Sequence, residues 1–194
     1  MKLHILFSLL LSLATFQLPA RAADAEAEAF LKKSVSEVVN IAKNSSDSAA
    51  LAAKVRPLLL NIINFDTMTR RAVGPGWRQF SPDQQKEATT LFSTLIIRTY
   101  SSKFTPGELP EVIFKPAISP APGRVEVPTS TLYKGSRYEV IYRQEEAEGW
   151  RITDVLIEGV SMVANYRSQF DAEFKSGGAN SVINALKTSV ASSK

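Results

Sequence analysis

The sequence has no cysteine and a single histidine, His4. Without cysteine there is no disulfide, no thiol nucleophile and no thiolate metal site. His4 lies in an N-terminal segment that we expect to be removed, so the working protein would have no imidazole. These absences exclude Ser-His-Asp and Cys-His catalysis and most zinc sites. Chemistry by carboxylate, lysine or tyrosine groups remains open.

The first residues have the pattern of a secretory signal peptide. A short basic head is followed by an apolar run over residues 5–16. Pro19 then breaks the helix, and Ala20 and Ala22 form an A-x-A cleavage site. We therefore expect residues 1–22 to be a cleaved signal peptide and residues 23–194 to form one exported domain. A retained anchor is the alternative, but the run is shorter than the roughly 20 residues that a span requires.

The charge of the mature chain is modest. Loss of Lys2 and Arg21 would lower the formal net charge from +4 to +2. The basic residues are dispersed, a pattern that does not indicate nucleic-acid binding. The segment 74–77 resembles no nucleotide-binding loop, because it lacks the Lys-Ser/Thr ending and follows no strand. No segment after residue 22 is apolar for long enough to span a bilayer.

Helical periodicity occupies the first half of the chain. The second predicted helix is capped by Asp47 and should be kinked or split at Pro57. Ser81 and Gln84 form a capping-box pattern with Pro82 at the first helical position. The predicted helices are 23–43, the one that follows Asp47, 65–73 and 82 to about 102, with a turn at 74–77.

The second half changes to short β-rich runs separated by turn residues. Connections this short predict antiparallel hairpins. The predicted strands are 111–119, 124–133, 137–144 and 150–158. In the last, we expect Ile152 and Leu156 on one face and Val155 and Ile157 on the other. Ser161 should cap a helix that Gly177–Gly178 ends, before a short helix at 181–190.

This order of elements predicts an α+β fold in one domain. A helical layer should pack on a curved, mostly antiparallel sheet of four strands or slightly more. Such a cone-like arrangement can hold an internal cavity between its helices and its sheet. On periodicity alone, however, stripes of apolar side chains at helical spacing usually form an ordinary filled core.

An enzyme is one alternative function. A cone-shaped sheet with a buried carboxylate and a tyrosine can support proton abstraction, and Asp66 with Tyr100 would be the candidate pair. Asp154 and Glu158 are further candidates. On the simpler interpretation, Asp66 caps the short helix, while Asp154 and Glu158 face solvent or pair with arginine.

Three stretches resemble the MlaC / toluene-tolerance (Ttg2-type) family of periplasmic phospholipid-binding ABC-transport components. They cover most of the mature chain, and the most specific reads D-V-x-I-E-G-V-S-x-V-x-N-Y-R-x-Q-F. A hopanoid-associated branch of the family is also similar. Departures are the turn at Gly74–Gly76 and a longer acidic hairpin at Glu145–Glu148. The three stretches are residues 65–85, 92–100 and 150–170.

The resemblance implies a carrier rather than an enzyme, without cofactor or metal. Lipid tails would lie inside the fold, with the headgroup at the mouth. The protein would shuttle phospholipid through the periplasm between an outer-membrane lipoprotein complex and an inner-membrane MCE-domain/ATPase complex. That role would support outer-membrane lipid asymmetry and toluene tolerance.

Candidate tail-binding residues are the apolar side chains of the predicted helices and strands. Arginine suits the geometry of phosphate, so Arg98, Arg143 and Arg167 are candidate headgroup ligands; surface ion pairing is their alternative role. The tail-binding candidates are Phe65, Met68, Val73, Phe92, Leu95, Ile96, Tyr100, Val112, Phe114, Val140, Tyr142, Val155, Ile157, Val163, Tyr166 and Phe170.

Overall fold

Helices precede and follow a block of six strands, which confirms the α+β prediction. The computed structural model describes residues 18–105 and 107–193, so residues 1–17 of the predicted signal peptide lie outside the described residues. The elements are α1 (Leu18–Lys43), α2 (Ser48–Ile62), α3 (Phe65–Val73), a 3-10 helix (Gly74–Gln79), α4 (Pro82–Ser101), β1 (Glu111–Phe114), β2 (Ile118–Ala121), β3 (Arg124–Tyr133), β4 (Ser136–Ala147), β5 (Gly149–Ile157), β6 (Val160–Ser161) and α5 (Met162–Ser192).

The helix starts follow the capping residues closely. The Asp47 side chain accepts a hydrogen bond from the Ala50 amide, and both halves of the predicted Ser81 capping box are formed. Pro57 lies inside α2, which runs unbroken to Ile62, so the helix is not split there. One expectation is wrong. Asn64 rather than Asp66 caps α3, through a bond of 2.9 Å from the Thr67 amide to its side-chain oxygen.

The sheet has the order β1-β3-β4-β5-β6, and β2 also pairs with β3. All strand pairs in it are antiparallel. The strand predicted over 111–119 is interrupted at 115–117, where Pro116 has no amide to donate to a ladder. The acidic segment 145–147, expected in a turn, instead continues β4.

A β-bulge in β5 changes which side chains share a face. Arg143 pairs with Asp154 and Gln144 with Ile152, so Thr153 is an extra residue. An extra residue inverts the alternation beyond it. Ile152, Val155 and Ile157 therefore share one face and Leu156 lies on the other, so the predicted pairing of Ile152 with Leu156 is wrong.

Two packed clusters form the core. The sheet cluster joins Ala27 and Leu31 of α1 to four side chains of β3 and β5, including Val127 and Trp150. The helical cluster joins Ala42, near the end of α1, to α2–α5 and includes Phe92. α4 packs mainly on α2, α3 and α5, whereas α1, α2, α3 and α5 contact the sheet. No helix among the described residues is both long and apolar enough to cross a membrane.

The predicted break in the last helix is confirmed. α5 departs from helical backbone geometry at Gly177 and Gly178, where Gly178 has φ +64°. Only glycine adopts this left-handed region without steric cost. The chain therefore turns between the Met162 end, which meets the sheet, and the last segment, which packs in the helical cluster.

Candidate functional site

The strand members of the predicted tail-binding set all lie on one face of the sheet, which we call the apolar face. Tyr142 pairs with Val127 and Val155, so these three side chains form a row. Val140 and Ile157 belong to the next row, which Phe114 extends through Thr129. The apolar face consists of Val112, Phe114, Val127, Val140, Tyr142, Val155 and Ile157.

The helical members of the set lie in the helical cluster. Phe92 is fully buried and makes edge-to-face contacts with Tyr166 and Phe170, at ring-centroid distances of 5.0 and 5.7 Å. Tyr100 and Tyr166 are half-buried against the cluster. The buried members are Phe65, Met68, Val73, Phe92, Leu95, Ile96, Val163 and Phe170.

The helical and sheet clusters meet along a boundary that we call the seam. Among the described residues, only Ile63 and Val155 pack against both clusters. Three well-formed clefts open on the described part of the molecule, and among the tail-binding candidates Val163 borders one of these three. The candidates of the helical cluster are themselves buried by protein atoms, so a ligand between helices and sheet would have to part the seam.

Tyr142 lies at a poorly hydrated position on the apolar face. Burial raises the pKa of Tyr142 to about 12. Its ring nevertheless keeps some exposed surface. Burial also raises the pKa values of Tyr100 and Tyr166, and the proximity of Tyr100 adds to the shift at Tyr166. Three phenolic groups thus lie among apolar side chains, where water stabilises their ionised forms poorly.

The opposite side of the sheet carries charge, and we call it the charged face. Glu126, Arg143 and Asp154 form one row across β3, β4 and β5. Arg143 donates to Glu126 at 2.8 Å and to Asp154 at 3.4 Å. The hydrogen bond that Arg143 donates to the Glu126 carboxylate is the main reason why the pKa of Arg143 is raised.

The predicted headgroup arginines do not form one group. Arg143 and Arg167 border a cleft of about 630 Å³ beside the charged face, which we call the arginine cleft. Arg98 instead borders a cleft between α2 and α4, where it donates to the Val190 carbonyl at 3.2 Å. Arg143 makes the ion pairs that the alternative interpretation expected.

Comparison with known proteins agrees with this architecture. The sequence pattern of the MlaC protein family matches residues 32–188. The chain belongs to the MlaC family. A phospholipid-binding protein from Ralstonia solanacearum, solved in complex with a phospholipid, superposes with a TM-score of 0.79 at 27% sequence identity. The match covers 86% of this chain and 98% of that chain. No curated protein matches the sequence.

The most specific stretch of this MlaC-family chain includes a buried hub at Asp154. Its carboxylate accepts bonds from the Ser161 hydroxyl at 2.6 Å and from the Val155 and Val163 amides at 2.9 and 3.1 Å. Asp154 was expected to face solvent or to pair with an arginine; it is buried, and its pairing with Arg143 confirms the second alternative. Glu158 is exposed and accepts from the Glu139 amide.

Asp154 thereby fixes the start of α5 against β5. The contact with Val163 satisfies one of the orphan amides of a helix N-terminus. Sequence reasoning missed this role, although the signal was present. Ser161, a predicted helix cap, follows Asp154 by seven residues across a tight β5–β6 hairpin, which places the two side chains together.

The residues considered for proton abstraction are not assembled into a site. Asp66 borders a cleft with Lys86 and Thr90 from the first half of α4. Tyr100 lies ten residues beyond Thr90, which is about 15 Å along a helix. Among the described residues, no cluster of acidic or histidine side chains could hold a metal ion.

Proposed function

We propose that this MlaC-family protein is a phospholipid carrier that holds acyl chains between the helical cluster and the apolar face. The bound phospholipid of the Ralstonia solanacearum relative carries the proposal, because that protein shares this fold over 98% of its length. The apolar face supplies the chemistry that tails require. Its side chains are aliphatic or aromatic, and they lie under a helical layer.

Binding must offset a large cost. Each acyl methylene that leaves water contributes about 0.8 kcal/mol, so two ordinary chains represent on the order of 20 kcal/mol. Because the seam is closed in this conformation, loading has to separate the helical cluster from the apolar face. The separated surfaces exchange contacts with each other for contacts with lipid, and the tails dominate the affinity.

We further propose that the carrier works in the periplasm, after removal of residues 1–22. It would move phospholipid between an outer-membrane lipoprotein complex and an inner-membrane complex of MCE-domain and ATPase subunits. The carrier has no nucleotide-binding motif, so net direction would come from the partner ATPase. Lipid would exchange when a partner parts the seam.

Lipid extraction tests the binding proposal. The protein is expressed with its own leader, purified without detergent and extracted with organic solvent, and the extract is analysed by mass spectrometry. We expect about one phospholipid per chain. A hopanoid in the extract would identify a different cargo, and well-folded, lipid-free protein that also takes up none from vesicles would contradict the proposal.

A seam variant locates the lipid. Val155 packs against both clusters, so Val155→Trp fills the space that tails would occupy. We expect this variant to retain several-fold less phospholipid and to transfer less fluorescent phospholipid between vesicles. Ile113→Trp is the matched control, because Ile113 lies on a strand but is 48% exposed and outside the apolar face. If Val155→Trp and Ile113→Trp retained equal amounts of phospholipid, the tails would have to bind elsewhere.

A further inference from the structure

We propose that the arginine cleft binds a phosphate group, on the side of the sheet opposite the apolar face. Four arginines border it, each from a different element: Arg71 of α3, Arg124 of β3, Arg143 of β4 and Arg167 of α5. Guanidinium groups bind phosphate through two parallel hydrogen bonds. The volume of about 630 Å³ lies within the range of small-molecule pockets.

The carboxylates of the cleft leave positive charge unbalanced. Glu126, Glu145 and Asp154 are the acidic residues that border it, one fewer than the arginines. Glu145 is shared between Arg71 at 2.8 Å and Arg124 at 3.4 Å. Asp154 already accepts three bonds from the start of α5 and β5 in addition to that of Arg143.

Arg167 is the arginine that the carboxylates leave free. Among the described residues, no carboxylate lies within ion-pair distance of it. Its guanidinium lies over Gly74, so close that a Cβ atom at Gly74 would come within 3.1–3.2 Å of Nε, Cζ and Nη2. The side chain is therefore held against backbone, and ordering it for a ligand costs less than ordering a free one.

The sheet register assigns Gln144 to the other side of the sheet. Gln144 pairs with Val125 and Ile152 and lies two residues from Tyr142, so its side chain is on the side of the apolar face. The chemistry of the cleft is therefore that of its guanidinium groups, which donate hydrogen bonds to a phosphate group.

Such a group has two possible sources. It is either the headgroup of a phospholipid, which rests on the proposed function, or a soluble phosphate ester, which does not. Titration followed by NMR separates them. Delipidated protein is titrated at constant ionic strength with inorganic phosphate and with glycerophosphoglycerol, against chloride. A second arm compares delipidated protein with protein loaded from phosphatidylglycerol vesicles. The readouts are the arginine Nε–H signals and the amides of residues 161–167.

The double variant Arg124→Gln/Arg167→Gln tests the assignment, because it removes two charges and leaves the Arg143–Asp154 contact intact. We expect saturable shifts in the native protein and at least tenfold weaker binding in the double variant. Arg56→Gln is the control, since Arg56 lies in a different cleft and donates to Thr94.

Each outcome has a definite meaning. Saturation by either soluble phosphate supports the site with a soluble source. Shifts of the same signals on lipid loading alone support the headgroup source. The proposal is overturned if neither soluble phosphate nor lipid loading shifts these signals. It is also overturned if Arg56→Gln weakens phosphate binding as much as the double variant does. Phosphate binding that persists in Val155→Trp, which should retain little lipid, would show that the arginine cleft does not depend on the tail site. Phospholipid uptake that shifts none of these signals, in protein that also binds no soluble phosphate, would overturn the arginine cleft and leave the proposed carrier function standing.

Discussion

Asp154 illustrates how one side chain can fix the relation between two elements. Its oxygens accept hydrogen bonds from two backbone amides, a hydroxyl and a guanidinium, and the residue is 5% exposed. A buried carboxylate is tolerated when its lone pairs are satisfied in this way. The geometry accounts for the position of α5 without any catalytic role.

Replacement of this hub should therefore destabilise the fold. We expect Asp154→Ala to lower the free energy of unfolding by about 3 kcal/mol, because buried donors lose their partner. Urea unfolding of delipidated protein gives the value. Asp171→Ala is the control, since the exposed pair of Asp171 with Lys175 should contribute less than about 0.5 kcal/mol. Equal effects of the two variants would contradict the account.

Tyr142 gives a pH-dependent prediction. Its pKa of about 12 in the fold exceeds the value near 10 of an unfolded chain. The contribution of Tyr142 to the free energy of unfolding is fully present below pH 10. It is lost as the pH rises through 10–12, because the tyrosine ionises first in the unfolded chain. We expect the native protein to lose stability over this range faster than Tyr142→Phe. Urea unfolding at pH 9, 10 and 11 compares them, and parallel curves would refute the prediction.

At the scale of elements, helix caps could be predicted from local sequence, whereas features set by a partner strand could not. The caps at Asp47 and Ser81 could be read from the sequence, because each involves residues three apart. The bulge at Thr153 could not, since an extra residue is defined only by the partner strand. The same limit explains why Asn64 was missed: the chain at Ile63 bridges to Ile152, which fixes where α3 begins.

The contact between the 3-10 helix and α5 is tight enough to test. A Cβ atom at Gly76 would lie 2.8–2.9 Å from the Phe174 ring. We expect Gly76→Ala to lower the free energy of unfolding by about 1–3 kcal/mol through overpacking. The same substitution in a Phe174→Ala background should cost much less, and a double-mutant cycle measures the difference. Strict additivity would show that the contact is not the cause.

For the whole molecule, the order of helices and strands is enough to predict the fold class. The strand residues chosen as tail-binding candidates lie on one face of the sheet. The arginine cleft was not foreseen as a unit. Arg71, Arg124 and Arg167 lie far apart in the chain, and only the tertiary fold brings them together with Arg143. Arg98, chosen on the same chemical grounds, lies in another cleft.

Lipid loading should change the stability of the whole molecule. A ligand that binds only the folded state raises the midpoint of thermal unfolding. We expect protein loaded with phosphatidylglycerol to melt several degrees above delipidated protein in calorimetry. Val155→Trp should show a much smaller difference between its loaded and delipidated forms, whereas Ile113→Trp should behave as the native protein does. Identical midpoints with and without lipid in the native protein would contradict the proposed binding.

The seam between the two clusters also bears on what would happen after the proposed delivery of lipid. Among the described residues, only Ile63 and Val155 pack against both, so these two side chains lie where the clusters would separate. In the described conformation the apolar side chains of both clusters are largely covered by protein. On the proposed function, the unloaded protein would therefore expose little of its lipid-binding surface, and the rate at which the two clusters separate would set the rate of the next uptake.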